Sequence, residues 1–354
     1  MNKSIESDNK RIMIITTMLG MVLIATIVIS VIFFRGRLKE TKQLLVSSEY
    51  NAYDKYYVMI TDNRNSDYWG SIYNGALEEA KKNNSYVKLM GDDLEDEFTK
   101  EDYLRMAINS KVDGIIVEGD DNRKTTGLLI DALNAGIPVV TVAEDNVDSG
   151  RKSFIGVNGY NLGKEYGEQV CHYVKEAHMT DCNAMVLLDN GQTSTSQSVI
   201  LQAIKETIKN YSMDEIIKVE EKSVTSNTDF AAEEEIRDLF VSKEAFPDVI
   251  VCLSEKSTVC VYQTVVDYNK VGKVEIFGYY LSPTIESAIE KNIIKSSLVV
   301  NTEQMGQDSV RALEEYKESG YVSAIYLIDT TLITKDSLPT SEEEGGDEDD
   351  QEAE

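Results

Sequence analysis

Short apolar runs alternate with longer amphipathic ones along most of this chain, a beat that predicts parallel sheets covered by helices on both faces. The apolar runs read as strands at Tyr56 to Ile60, Tyr86 to Met90, Gly114 to Val117, Pro138 to Val142 and Phe154 to Val157. A second set follows at Ala184 to Leu188, Ile216 to Val219, Val249 to Leu253, Val274 to Gly278 and Ser296 to Val300. Helical patterns fill the gaps: Trp69, Ile72, Tyr73, Ala76, Leu77 and Ala80 recur at helical spacing. A helix from Asn122 to Ala135 is stopped by Gly136, and Pro138 opens the next strand. The beat keeps its character over about 300 residues, a length that suits two similar doubly wound lobes better than one.

One segment breaks the beat. Ile12 to Phe34 is uncharged and dominated by Ile, Val, Met and Leu, long enough to cross a ~30 Å hydrocarbon core as a helix. It is too long for a signal-peptide core, no small-x-small cleavage site follows Ser30, and no Cys is there to carry a lipid. The segment therefore reads as a retained signal anchor, with a buried hairpin helix as the alternative. Lys3, Lys10 and Arg11 before it nearly balance Arg35, Arg37, Lys39 and Lys42 after it, but large folded domains translocate with little regard to such counts. The expected layout is a cytoplasmic N-terminus at 1–11, a single span at 12–34, a linker at 35–52, and an extracytoplasmic domain on the cell membrane.

Charge narrows the function. The formal net charge is −27, which argues against neutralising phosphates on nucleic acid or on an anionic membrane surface. Part of that charge is local, because Ser341 to Glu354 carries nine acidic residues and no basic one, so 339–354 reads as a solvated, disordered tail. Cys171, Cys182, Cys252 and Cys260 have neither metal-ligand spacing nor the density of a disulfide scaffold and are expected in the core. His172 and His178 are the chain's two histidines, six positions apart and so not on one helical face. Nothing in the pattern points to a metal, a cofactor or catalysis.

In doubly wound sheets ligands bind beyond the carboxyl ends of the strands. That rule selects Thr61 to Trp69 after the first strand, Glu118-Gly119-Asp120-Asp121 after the third and Ala143-Glu144-Asp145-Asn146 after the fourth. Trp69 shares the apolar stripe of its helix whereas Tyr68 lies off it, so the two are not expected to face the core together, and at least one should face the cleft.

The ordered set Ser66-Asp67-Tyr68-Trp69, Val112-Asp113-Gly114-Ile115-Ile116, Gly136-Ile137-Pro138-Val139-Val140, Ile155-Gly156-Val157-Asn158, Pro247-Asp248-Val249-Ile250 and Ile276-Phe277-Gly278-Tyr279 resembles the periplasmic-binding-protein family of ribose- and galactose-type sugar receptors. That type I solute-binding fold is shared with the lactose-repressor ligand-binding core, but here a membrane segment stands where a helix-turn-helix would precede the core. The resemblance covers Tyr56 to Leu338. It implies an α/β fold of two parallel-sheet lobes joined by a three-strand hinge, with Asn158 and Val300 at hinge positions. The implied boundaries are 53–157 with 301–324 for the N-terminal lobe and 158–300 with 325–338 for the C-terminal lobe.

Carried over residue by residue, the resemblance places Tyr68 and Trp69 at the aromatic pair that stacks on a sugar ring, and Phe230 at an aromatic from the opposite lobe. The polar positions differ. Glu118 stands where ribose-type receptors carry Asn, Ala143-Glu144 where they carry an Asp-Arg pair, Ser254-Glu255 where they carry Asn-Asp, Tyr280 where they carry Asp, and Val300 where they carry Gln. Glu118, Glu144, Asp145, Glu255 and Tyr280 are thus ligand-binding candidates beside the aromatics. The alternatives are solvated carboxylates for Glu118 and Glu255, a turn role for Asp145, and core packing for Trp69 and Phe230. The implied activity is non-enzymatic capture of a sugar or polyol for an ABC importer, or for a membrane histidine kinase or chemoreceptor that reads lobe closure. An enzyme or a ligand-free scaffold is the more remote alternative.

Overall fold

A computed structural model of the protein describes residues 53–91, 98–189, 195–224, 229–241 and 246–338. The Ile12 to Phe34 segment, the 35–52 linker and the acidic tail lie outside the described residues, and among those described no helix is long and apolar enough to cross a membrane. The fold is that of the described residues from Asp54 onward.

Its N-terminal lobe starts with β1 (Lys55–Ile60), α1 (Asp67–Lys82), β2 (Ser85–Leu89), α2 (Lys100–Ser110), β3 (Gly114–Glu118), α3 (Arg123–Asn134), β4 (Val139–Val142) and β5 (Ser153–Gly156). The chain then crosses over and builds α4 (Gly159–Glu176), β6 (Cys182–Asp189), α5 (Thr195–Asn210), β7 (Ile217–Val224), α6 (Asp229–Val241), β8 (Val249–Cys252), α7 (Glu255–Asp267), β9 (Glu275–Tyr279), α8 (Pro283–Glu290) and β10 (Ser296–Val300). It returns as α9 (Thr302–Ser319) and β11 (Ile325–Leu327), and crosses a third time into β12 (Thr330–Thr334).

The strands form two 6-stranded sheets, ordered β11-β5-β4-β3-β1-β2 and β12-β10-β9-β8-β6-β7. Every pairing is parallel except β10 with β12. The chain therefore passes between the sheets at Val157–Asn158, at Asn301 and at Ile328–Asp329. The third crossing corrects the boundary expected at 325. Ile325 pairs with Phe154 and Leu327 with Gly156, and the Ile328 N–H donates to Gly156 O at 2.9 Å, so 325–327 belongs to the N-terminal sheet.

In each lobe two helices pack on one another by close backbone approach. In the N-terminal lobe α1 lies on α9, where a Cβ on Gly306 would sit 1.9 Å from Ile72 O and one on Gly75 2.0 Å from Glu303 O. In the C-terminal lobe α4 lies on α5, and a Cβ on Gly163 would sit 2.3 Å from Ile200 O. No side chain fits these crossings, which fixes the two helices of each pair against one another. The four cysteines are buried and unbridged.

Because the connections are parallel, helices begin on the carboxyl side of each sheet, and their caps shape that rim. Ser66 accepts from Trp69 N–H at 3.2 Å, Asn158 from Asn161 N–H at 3.1 Å, Ser254 from Ser257 N–H at 3.2 Å and Asn301 from Gln304 N–H at 3.0 Å. The rims of the two lobes face each other across the cleft.

Candidate functional site

The N-terminal rim is built from the ends of β1, β3 and β4. Glu118, buried at the end of β3, accepts from the Thr61 hydroxyl at 2.7 Å and from Asp62 N–H at 3.2 Å, and its other oxygen faces Asn63 Nδ2 at 3.4 Å. Beside it the buried Lys100 ammonium pairs with Asp62 at 2.9 Å and Asp120 at 3.2 Å. Burial works against that charge, but Glu118, Asp62 and Asp120 outweigh it and hold the ammonium well above its ordinary value. Glu118 is thus part of an internal ionic network, not a solvated loop carboxylate.

Asp145 also turns inward. Its carboxylate accepts from the Thr141 hydroxyl and Asn146 N–H, each at 2.8 Å, and takes the forked Arg151 guanidinium, the bidentate geometry Arg favours. Its two oxygens are engaged within the loop, which fits the turn role.

Glu144 behaves differently. It follows Ala143, a non-glycine residue with φ 65°. Among the described residues, six of the eight non-glycine residues with positive φ closely follow or cap a helix; Ala143 and Tyr280 (φ 71°) instead follow β4 and β9. These strands hold corresponding places in the two sheets, so the same strained step recurs on both sides of the cleft. The Glu144 charge is felt by two buried phenols, Tyr68 in one lobe and Tyr279 in the other.

Those phenols lie at the centre of the cleft. Tyr68 is 9% exposed and Trp69 3%, so both are buried. Tyr68, off the apolar stripe of its helix, faces the cleft and is buried there by the opposite lobe: its ring lies 6.0 Å from that of Tyr279 and 5.3 Å, edge-on, from that of Tyr280. Trp69 packs edge-on against Tyr68 at 6.1 Å and joins the core behind α1. Burial first, then Tyr279, then Glu144 and Glu118, raise the Tyr68 phenol well above its ordinary value. Burial pushes Tyr279 up to about 12, against the hydrogen bond it shares with Tyr68.

On the C-terminal rim Glu255 opens α7 and accepts the Tyr68 backbone N–H at 3.1 Å. Burial, then Asp67, raise its carboxyl above the ordinary value, opposed by that N–H and by Ser282. The Tyr280 hydroxyl donates to Asp67 O at 3.3 Å, and Lys256 Nζ to Asn63 Oδ1 at 3.4 Å. Phe230 stands in the first turn of α6, but its side chain lies outside the described residues. Asn158 caps α4 and Val300 ends β10 in a buried position, each beside a crossing between the lobes.

The structure thus brings Tyr68, Trp69, Glu144, Glu255 and Tyr280 together and directs Glu118 and Asp145 into the N-terminal lobe. Sequence reasoning missed Tyr279, Asn63, Lys100 and Lys256. The adjacent aromatics Tyr279-Tyr280 at a strand end, echoing Tyr68-Trp69, were the available signal for the first of these.

Residues 56–320 match the family model described as periplasmic binding protein domain. No curated protein sequence matches the chain. Among solved structures it is similar to GanP, a glucose-galactose binding protein from Geobacillus stearothermophilus, at 20% identity over 81% of this chain and 99% of that one, with a TM-score of 0.70. It is also similar to a chain of the XylFII–LytSN complex at 22% identity, over 80% of this chain and 99% of that one, with a TM-score of 0.67. An ABC transporter solute binding protein from Burkholderia graminis C4D1M, in complex with D-arabinose, gives 18% identity, 80% and 96% coverage and a TM-score of 0.70. At these identities the likeness carries the fold.

Proposed function

The chain belongs to the periplasmic binding protein domain family, a family of solute-binding proteins and not of enzymes, and on that premise we propose that it is a membrane-anchored, extracytoplasmic receptor for a sugar or polyol that hands its ligand to an ABC importer. The observation that carries the reading is the aromatic seam at the strand ends, where Tyr68 of one lobe meets Tyr279 and Tyr280 of the other. Apolar faces of a pyranose or furanose bury well against such rings. Closure of the lobes about the three crossings is a population shift driven by contacts available only when closed. The sugar-binding and ABC-transporter proteins among the similar structures support this reading, and the uncharged run at 12–34 supports the anchor.

Glu144 sets the selectivity. Arg side chains that would bridge hydroxyls are missing from the positions where the ribose-type pattern has them, so neutral ligands are favoured and sugar phosphates or sugar acids are penalised by like charge in a partly dry site. Free ribose binds weakly on this reading. Titration calorimetry of the full chain in detergent against neutral monosaccharides and their phosphates tests it: tight binding of a neutral sugar with rejection of its phosphate supports the assignment, and tight phosphate or ribose binding sinks the selectivity argument. Protease added to intact protoplasts should digest the soluble domain; protection would overturn the orientation.

A second reading, a sensory partner of a membrane histidine kinase or chemoreceptor, is favoured by one observation, the similarity to a chain solved in complex with a second protein, LytSN. Co-purification with a permease or with a membrane sensor distinguishes the two.

A further inference from the structure

One short segment of the N-terminal lobe, Asn63 to Tyr68, takes three hydrogen bonds from or to the opposite lobe. Lys256 reaches Asn63, Tyr280 reaches the Asp67 carbonyl, and Glu255 accepts the Tyr68 N–H. The Glu255 contact joins the first turns of two helices from different lobes, α1 and α7. N–H groups in a helix's first turn have no partner within their own helix, and here a carboxylate supplied by the other lobe satisfies one of them. Its neighbours fix its position: Ser254 and Ser257 form a capping box at the start of α7, and Ser66 caps α1. Tyr280 is held by its own backbone, whose N–H donates to Leu298 O at 2.9 Å while φ stands at 71°, and its ring lies edge-on to Tyr68.

Taking the solute-receptor reading as given, we infer that Glu255 and the hydroxyl of Tyr280, whose ring keeps its place in the aromatic seam, are positioning groups that set the energy of lobe closure, and hence the affinity for every ligand alike, by hydrogen bonding to the first turn of α1. Both aim at backbone atoms of α1 and act on ligand through the closed arrangement. A residue that touched the ligand would alter the order of preference among sugars; a residue that holds the lobes shifts all affinities by one common factor, the change in the fraction of chains in the closed form.

Spin labels at Lys124→Cys on α3 and Thr284→Cys on α8, both exposed, measure lobe separation in the full-length chain in detergent, with the four native cysteines buried. Glu255→Ala is expected to raise the ratio of long to short inter-label distances about tenfold, the size expected for losing a hydrogen bond to a charged acceptor, and to weaken binding of each sugar in a panel of D-glucose, D-galactose, D-xylose and D-arabinose by one common factor, the measured fall in the short-distance fraction. Glu255→Gln, which keeps an acceptor oxygen, stays near wild type, and Tyr280→Phe gives a smaller shift in the same direction. Unchanged distances in Glu255→Ala, or a changed order of preference within the panel, would overturn the assignment. Should no sugar bind the wild type, the receptor reading fails by itself, and the distance distributions still decide for or against the closure role.

Discussion

The two lobes share one chain plan and differ in what holds their rims. In the N-terminal lobe the rim is braced from within: Lys100 sits among Asp62, Asp120 and Glu118, and Arg151 clasps Asp145. In the C-terminal lobe the rim residues Glu255, Lys256 and Tyr280 lean on the opposite lobe. The contrast teaches that charge at a strand end does not by itself mark a ligand contact. Carboxylates of similar position serve a lobe's own stability on one side and its association with the other lobe on the opposite side.

The sharpest way to break this comparison is to remove the N-terminal brace. Lys100→Met leaves three carboxylates without their shared cation, and urea unfolding should register a loss of about 3 kcal/mol or more; unchanged stability would mean that solvent, not Lys100, compensates Asp62 and Asp120. Arg151→Met should come next, at about 2 kcal/mol, since it frees a half-buried carboxylate in the loop after β4. On the C-terminal side Tyr280→Phe should cost under about 1 kcal/mol of unfolding free energy, because its bond lies between lobes. An effect as large as that of Lys100→Met would erase the contrast.

The smallest effect is one of pH. Burial, then Asp67, hold the Glu255 carboxyl above 4.5 in the folded chain, so the folded state binds more protons than the unfolded one in the window just above that value. Its contribution to stability is therefore fully present below about 4.5 and falls as pH rises through the raised value. Unfolding curves measured across that window should slope less in Glu255→Gln than in wild type; equal slopes would place the group in an environment like that of the unfolded chain.

The ten strands that the alternating pattern predicts all occur, because buried parallel strands are near-continuous apolar runs bounded by turn residues. β11 and β12 escaped the pattern. They are short, and Ile325, Leu327 and Leu332 remain exposed, so no burial periodicity marks them; their pairing with β5 and β10 is set by where the chain returns. The site was legible as a set of loops and illegible as a set of partners. Glu255 stands 187 positions from Tyr68, and no local rule tells a carboxylate that meets a ligand from one that meets a distant backbone N–H. Likewise, Asp145 read equally well as ligand contact or turn residue until Arg151, six positions on, was seen to close on it.

Trp69 is the chain's one tryptophan, 3% exposed and 6.1 Å from Tyr68, whose ring touches the other lobe. All indole emission of the protein therefore arises at a single point just behind the seam. The wavelength and yield of that emission, and the transfer of excitation from the surrounding tyrosines, respond to any change in how tightly the seam is shut. The native sequence thus carries its own optical gauge, able to follow opening, closing and ligand entry in real time without an added dye.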